Sequence, residues 1–80
     1  MATKQEVEQR VKKVVAQVLK VDLDKIKGDA NFVFDLGAES VDSISLVTAF
    51  EKEFDIEMDV EKAQEVQTIE GAVDFIADYL

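Results

Sequence analysis

The chain contains no cysteine, histidine, tryptophan or proline. Without cysteine there is no thiolate nucleophile and no disulfide framework. Without cysteine and histidine together, zinc sites of the usual kind are excluded. Histidine is also the side chain that most readily moves protons near neutral pH, so ready acid–base catalysis is missing as well. The carboxylates are many, but paired carboxylates alone mean little in a chain with eighteen of them. The chain is therefore expected not to be an enzyme, and any reactive group it uses is expected to be borrowed. No apolar run approaches the roughly 18 residues needed to span a membrane. Residues Met1–Arg10 lack the apolar stretch of a signal peptide. A cytoplasmic location without membrane insertion is the expectation. Repeats, low-complexity tracts and linkers rich in proline or serine are also absent.

What is present is enough for one small domain, covering residues 1–80. Hydrophobic residues make up 48% of the chain, too many for wholesale disorder. A chain of this size buries roughly 60–65% of its unfolded surface. The net charge is −9 and unevenly spread. Residues 1–28 hold seven lysines and arginines against four acids, whereas residues 29–80 hold two against fourteen. Such a field repels nucleic acid and anionic membranes and attracts basic surfaces. The same excess charge also keeps a small protein soluble.

The hydrophobic spacing predicts helices throughout. Thr3 and Glu6 form a capping-box pattern ahead of Val7, Val11, Val14, Val15 and Val18, which predicts a helix over Lys4–Leu19. Residues 20–39 read as a long loop punctuated by Gly28 and Gly37, pinned to the core by Leu23, Ile26, Phe32, Phe34 and Leu36. A second helix is predicted from Ser40 to about Phe54, with Val41, Ile44, Val47, Phe50 and Phe54 as its buried stripe and Leu46 beside it. A short helix is expected over Glu61–Val66. A last one is expected after the cap Thr68, with Ile69, Ala72, Val73, Ile76 and Leu80 along one face. No stretch has a strand pattern. The predicted architecture is all-α: a small four-helix bundle of three main helices and one short one, with a long first loop.

The most informative run is Phe34-Asp35-Leu36-Gly37-Ala38-Glu39-Ser40-Val41-Asp42-Ser43-Ile44. Gly37 permits a tight exit from the loop, and Ser40 falls at the start of the second helix. Taken alone, a serine there reads as an N-cap contributing about 1 kcal/mol. The run as a whole, however, resembles the attachment site of acyl carrier proteins, whose common form is Asp-Leu-Gly-Ala-Asp-Ser-Leu-Asp. The resemblance continues through Leu46–Glu57, Val66–Ile69 and Ala72–Ile76, in order and over nearly the whole chain. Glu39 stands where Asp is usual and Val41 where Leu is usual; neither change removes the hydroxyl.

The resemblance implies that a phosphopantetheinyl transferase moves 4′-phosphopantetheine from coenzyme A to Ser40. The terminal thiol of the arm then carries acyl groups as thioesters in fatty-acid, polyketide or related pathways. A chain without cysteine would thus obtain its thiol from a prosthetic group. The phosphate would sit at the positive end of a helix. Ser43 and Ser45, the only other serines, fall inside the helix and are poorer acceptors. The partners implied are acyl-transfer and condensing enzymes with basic docking patches. They would meet the chain, a monomer, at Asp35, Glu39, Val41, Asp42 and Glu51. In the family, the space between the helices can also shelter a tethered acyl chain.

Three other readings compete. A calcium sensor would use Asp55, Glu57 and Asp59, but Val60 holds the position of the EF-hand glycine and Val66 that of its closing glutamate. A run from Asp22 and Asp24 fails likewise at Lys27 and Val33. A peptidyl carrier usually shows Gly-Gly where this chain has Gly37-Ala38. An acidic helical interaction module without a prosthetic group would leave Ser40 as a cap and nothing more.

Overall fold

The structure is a computed structural model that describes residues 3–80. The first helix, α1 (Lys4–Leu19), begins where the Thr3 hydroxyl accepts the Glu6 N–H (3.2 Å). Its buried residues Val7, Val11, Val14 and Val15 follow the predicted spacing. Valine is an indifferent helix former, so burial of this stripe rather than local preference holds α1. The helix stops at Lys20, which adopts the left-handed conformation (φ 56°) and donates its N–H to the Ala16 carbonyl.

The remaining helices are α2 (Ser40–Phe54), α3 (Val60–Gln64) and α4 (Ile69–Ala77). α1 packs against both α2 and α4, which meet each other little. The deepest core lies along α1 and α4, where Val7, Val11, Val15, Ile69 and Ile76 are fully buried. Arg10 fastens α1 to the end of α2. Its Nε donates to Glu53 Oε2 (2.8 Å), and its guanidinium lies 4.4 Å from the centre of the Phe54 ring. On the outer face Lys4 pairs with Asp74 at 2.8 Å, and this hydrogen bond and charge raise the lysine pKa above its ordinary value.

The first loop is ordered by the core rather than by its own helices. It makes one 3₁₀ turn (Leu23–Lys25) and then runs beside the start of α4. There Phe32 N–H donates to Gln67 O (2.9 Å), Ile69 N–H to Ala30 O (3.1 Å) and Glu70 N–H to Gly28 O (2.8 Å). Ile26, Ala30, Phe32 and Ala38 are its buried anchors.

The bundle is the predicted one, but several apolar residues assigned to its core are outside it. Leu23 and Phe34 are exposed, whereas Leu36, half-buried, packs against the core as expected. Phe32 takes the inward position, which leaves Val33 and Phe34 on the outer side of the turn that follows. Val41 and Ile44 are also exposed, so the buried set of α2 is Leu46, Val47, Phe50 and Phe54. Helical geometry explains this. A run with spacing three drifts around the helix, and at 100° per residue Val41 sits about 120° from Val47, on the side away from Phe50. Leu80 lies beyond α4, which ends at Ala77, and is exposed. α3 begins earlier than predicted because Asp59 caps it, its carboxylate accepting the Lys62 N–H (3.3 Å), and it ends at Gln64, before the predicted Val66. No residue of α3 is buried. Among the described residues, no helix is long and apolar enough to cross a membrane.

Candidate functional site

The segment between Phe32 and Ser40 is built around two side chains. Asn31 Oδ1 accepts the N–H groups of Val33 (2.9 Å) and Phe34 (3.0 Å). Asp35 Oδ2 accepts the N–H of Asn31 (2.7 Å), closing the turn from the other side. The chain then crosses Gly37 at φ 73°, a conformation that costs other residues roughly 1–2 kcal/mol. No atom lies within 4 Å of where a Gly37 side chain would begin. Strain is therefore the only obstacle to substitution there. Gly37→Ala is expected to lower stability by about 1 kcal/mol, measurable by urea titration with an unchanged slope. Ala38 turns inward and is buried, and its N–H donates to Phe32 O (2.8 Å).

This path delivers Ser40 as the first residue of α2, not as its cap. Glu39 occupies the N-cap position in extended conformation. The Asp42 carboxylate reaches back to the Glu39 N–H (2.9 Å). Ser40 is exposed, and among the described residues its hydroxyl makes no hydrogen bond. Ser43 differs: its hydroxyl lies 3.5 Å from the Glu39 carbonyl, to which it donates. Ser45 is exposed on the second turn, away from the helix end. The free hydroxyl of Ser40 thus stands where the backbone N–H groups of α2 favour an anion.

Ser40, Glu39, Val41 and Asp42 are brought together at this end of α2. Asp35 stands at the preceding turn, with its carboxylate already engaged in holding that turn. Glu51 is elsewhere, near the end of α2, where its Oε2 accepts the Met58 N–H (2.9 Å) and secures the chain leaving the helix. Reasoning from sequence missed Asn31, whose type suggests a turn but not which one. It also missed the exposure of Phe34.

Beside the site opens a cleft of about 290 Å³. It lies between the first loop, α2, α3 and α4. Its apolar walls include Phe32, Leu46, Val47, Phe50, Met58 and Phe75, while Val33, Phe34 and Ser43 also line it.

The surroundings are strongly negative. Among the described residues, three of the eighteen acids are ion-paired, namely Glu8, Glu53 and Asp74. Self-repulsion of the rest opposes compaction. Raising salt or adding millimolar magnesium is expected to raise the melting temperature by several degrees. A temperature that stays flat through both titrations would contradict this.

The residues present suit a phosphate ester at Ser40: an unengaged oxygen, open space on the Gly37 side and a helix N-terminus. A family profile described as the phosphopantetheine attachment site matches residues 9–76, from within α1 to the last turn of α4. With the match covering most of the chain, the protein belongs to this family: it is a carrier domain, the site of covalent 4′-phosphopantetheine attachment.

Proposed function

We propose that this chain is an acyl carrier protein and that Ser40 bears the arm. The observation that carries the reading is the free, exposed Ser40 hydroxyl at the N-terminus of α2, beside an apolar cleft. A phosphopantetheinyl transferase supplies the arm. Ser40 Oγ forms a bond to the pantetheine-bearing phosphorus of coenzyme A, the bond from that phosphorus to the bridging oxygen breaks, adenosine 3′,5′-bisphosphate leaves, and the serine proton passes to solvent or to a base on the transferase. When attached, the arm supplies the thiol that the chain lacks and holds acyl groups as thioesters.

The chain's own residues do the rest. Asn31 and Asp35 hold the turn that presents Ser40, and the first N–H groups of α2 favour the phosphate charge. The acids around Ser40 draw the basic docking patches of acyl-transfer and condensing enzymes into fast, salt-sensitive contact. The cleft favours acyl over peptidyl cargo, because its walls offer an aliphatic chain a place out of water. We place the protein in the cytoplasm as a monomer serving fatty-acid, polyketide or related synthesis. Mass analysis of the cargo on protein isolated from its own cells tests the class. An aliphatic or ketide thioester supports the reading, and an aminoacyl or peptidyl thioester overturns it in favour of a peptidyl carrier.

A further inference from the structure

The chain has five phenylalanines. Phe32, Phe50 and Phe54 are buried, and Phe75 is half-buried. Phe34 is 88% exposed, the most exposed large apolar residue of the described chain. An aromatic ring is the side chain with most to gain from leaving water. Phe34 does not wave on a loose loop. Its N–H is held by Asn31 Oδ1, and Asn31 in turn is held by Asp35. The ring therefore projects from a fixed turn, with little backbone ordering left to lose on binding.

Phe34 is not alone. Val33 is exposed beside it, and Val41 and Ile44 are exposed on the first turns of α2. Phe34 and Val33 share the cleft mouth with Ser43, one turn from Ser40. Phe34 is too exposed to serve as the lid of that cleft. The same turn and helix start carry the acids Asp35, Glu39 and Asp42. A rigid aromatic on a turn and helix end that carry acids is complementary to an apolar pocket rimmed by lysine or arginine.

We infer that Phe34, flanked by Val41, is the anchor by which the chain docks on the enzyme that modifies Ser40. This inference rests on Ser40 being the modified residue. A transferase must cover this end of the molecule to reach the Ser40 oxygen. It must also carry cations, because coenzyme A presents it with several phosphates. Its active-site rim is thus basic where this surface is acidic. The acids steer the encounter, and burial of the Phe34 ring decides how long the complex lasts.

The experiment uses a phosphopantetheinyl transferase with coenzyme A and follows the rate of modification by intact mass. Four proteins are compared: wild type, Phe34→Ser, Phe34→Leu and Leu23→Ser, the last removing an equally apolar exposed side chain from the 3₁₀ turn. Phe34→Ser is expected to lower kcat/KM by about thirtyfold, as loss of an interface anchor does, with the change in KM and not in kcat. Phe34→Leu recovers part of the loss, and Leu23→Ser stays within twofold of wild type. All four keep the same helical circular dichroism, since neither residue is buried. Modification of wild type and Phe34→Ser at equal kcat/KM overturns the anchor while leaving the Ser40 reading intact. Failure of wild type itself to be modified overturns that reading, and the anchor with it. A fall in kcat alone, or a self-association of wild type that Phe34→Ser abolishes, assigns the ring another role and also overturns the inference.

Discussion

Ile76→Ala is expected to destabilise the fold by about 3 kcal/mol, within the usual range for truncating a fully buried isoleucine. Ile76 is completely buried on α4, within the cluster shared with α1, and also forms part of the cleft wall. Both its apolar contacts and the space it fills would be lost. An 80-residue domain has a total stability of roughly 4–12 kcal/mol, so this one change removes a large fraction of it. The melting temperature should fall by about 12–24 °C, read by far-ultraviolet circular dichroism. Val41→Ala is the companion measurement. Val41 is 71% exposed, and its truncation should stay within about 0.5 kcal/mol of wild type. If the two variants lost equal stability, the division of apolar residues between core and surface described above would be wrong.

The second large effect is chemical. Ser40→Ala is expected to abolish phosphopantetheine addition while leaving the fold unchanged. The two expectations are linked by the position of Ser40. An N-cap serine replaced by alanine costs about 1 kcal/mol. Ser40 is instead the first helical residue, Glu39 holds the cap position, and the serine hydroxyl bonds nothing among the described residues. Stability should therefore change by less than about 0.5 kcal/mol. Alanine is also a better helix former than serine. Full loss of modification at full stability separates a chemical role from a structural one. A clear loss of stability would return Ser40 to the role of a cap.

The helices were legible because their signals are redundant. In α1 the valine stripe, the Thr3 cap and the charged outer face agree, and α4 repeats this with Thr68, whose hydroxyl accepts the Gly71 N–H (3.1 Å). α3 was less so, since five residues with none buried leave little periodicity to read. The site was legible as a motif, but not its mechanics. That Glu39 rather than Ser40 caps α2 depends on where the turn at Gly37 releases the chain. That turn depends on Asn31 reaching Val33 and Phe34. The apolar residues Phe34, Val41 and Ile44 were misplaced for a related reason. Hydrophobicity alone does not say which apolar side chains are buried, because the turn at Asn31 and the 100° step of α2 decide which of them face the core.

The most direct measurement is tandem mass spectrometry of the peptide containing Ser40, Ser43 and Ser45, after the wild-type protein has been treated with a phosphopantetheinyl transferase and coenzyme A. The predicted result is a single 4′-phosphopantetheine, localised to Ser40. The group found on Ser43 or Ser45, or a wild-type protein left unmodified by an active transferase, would contradict it.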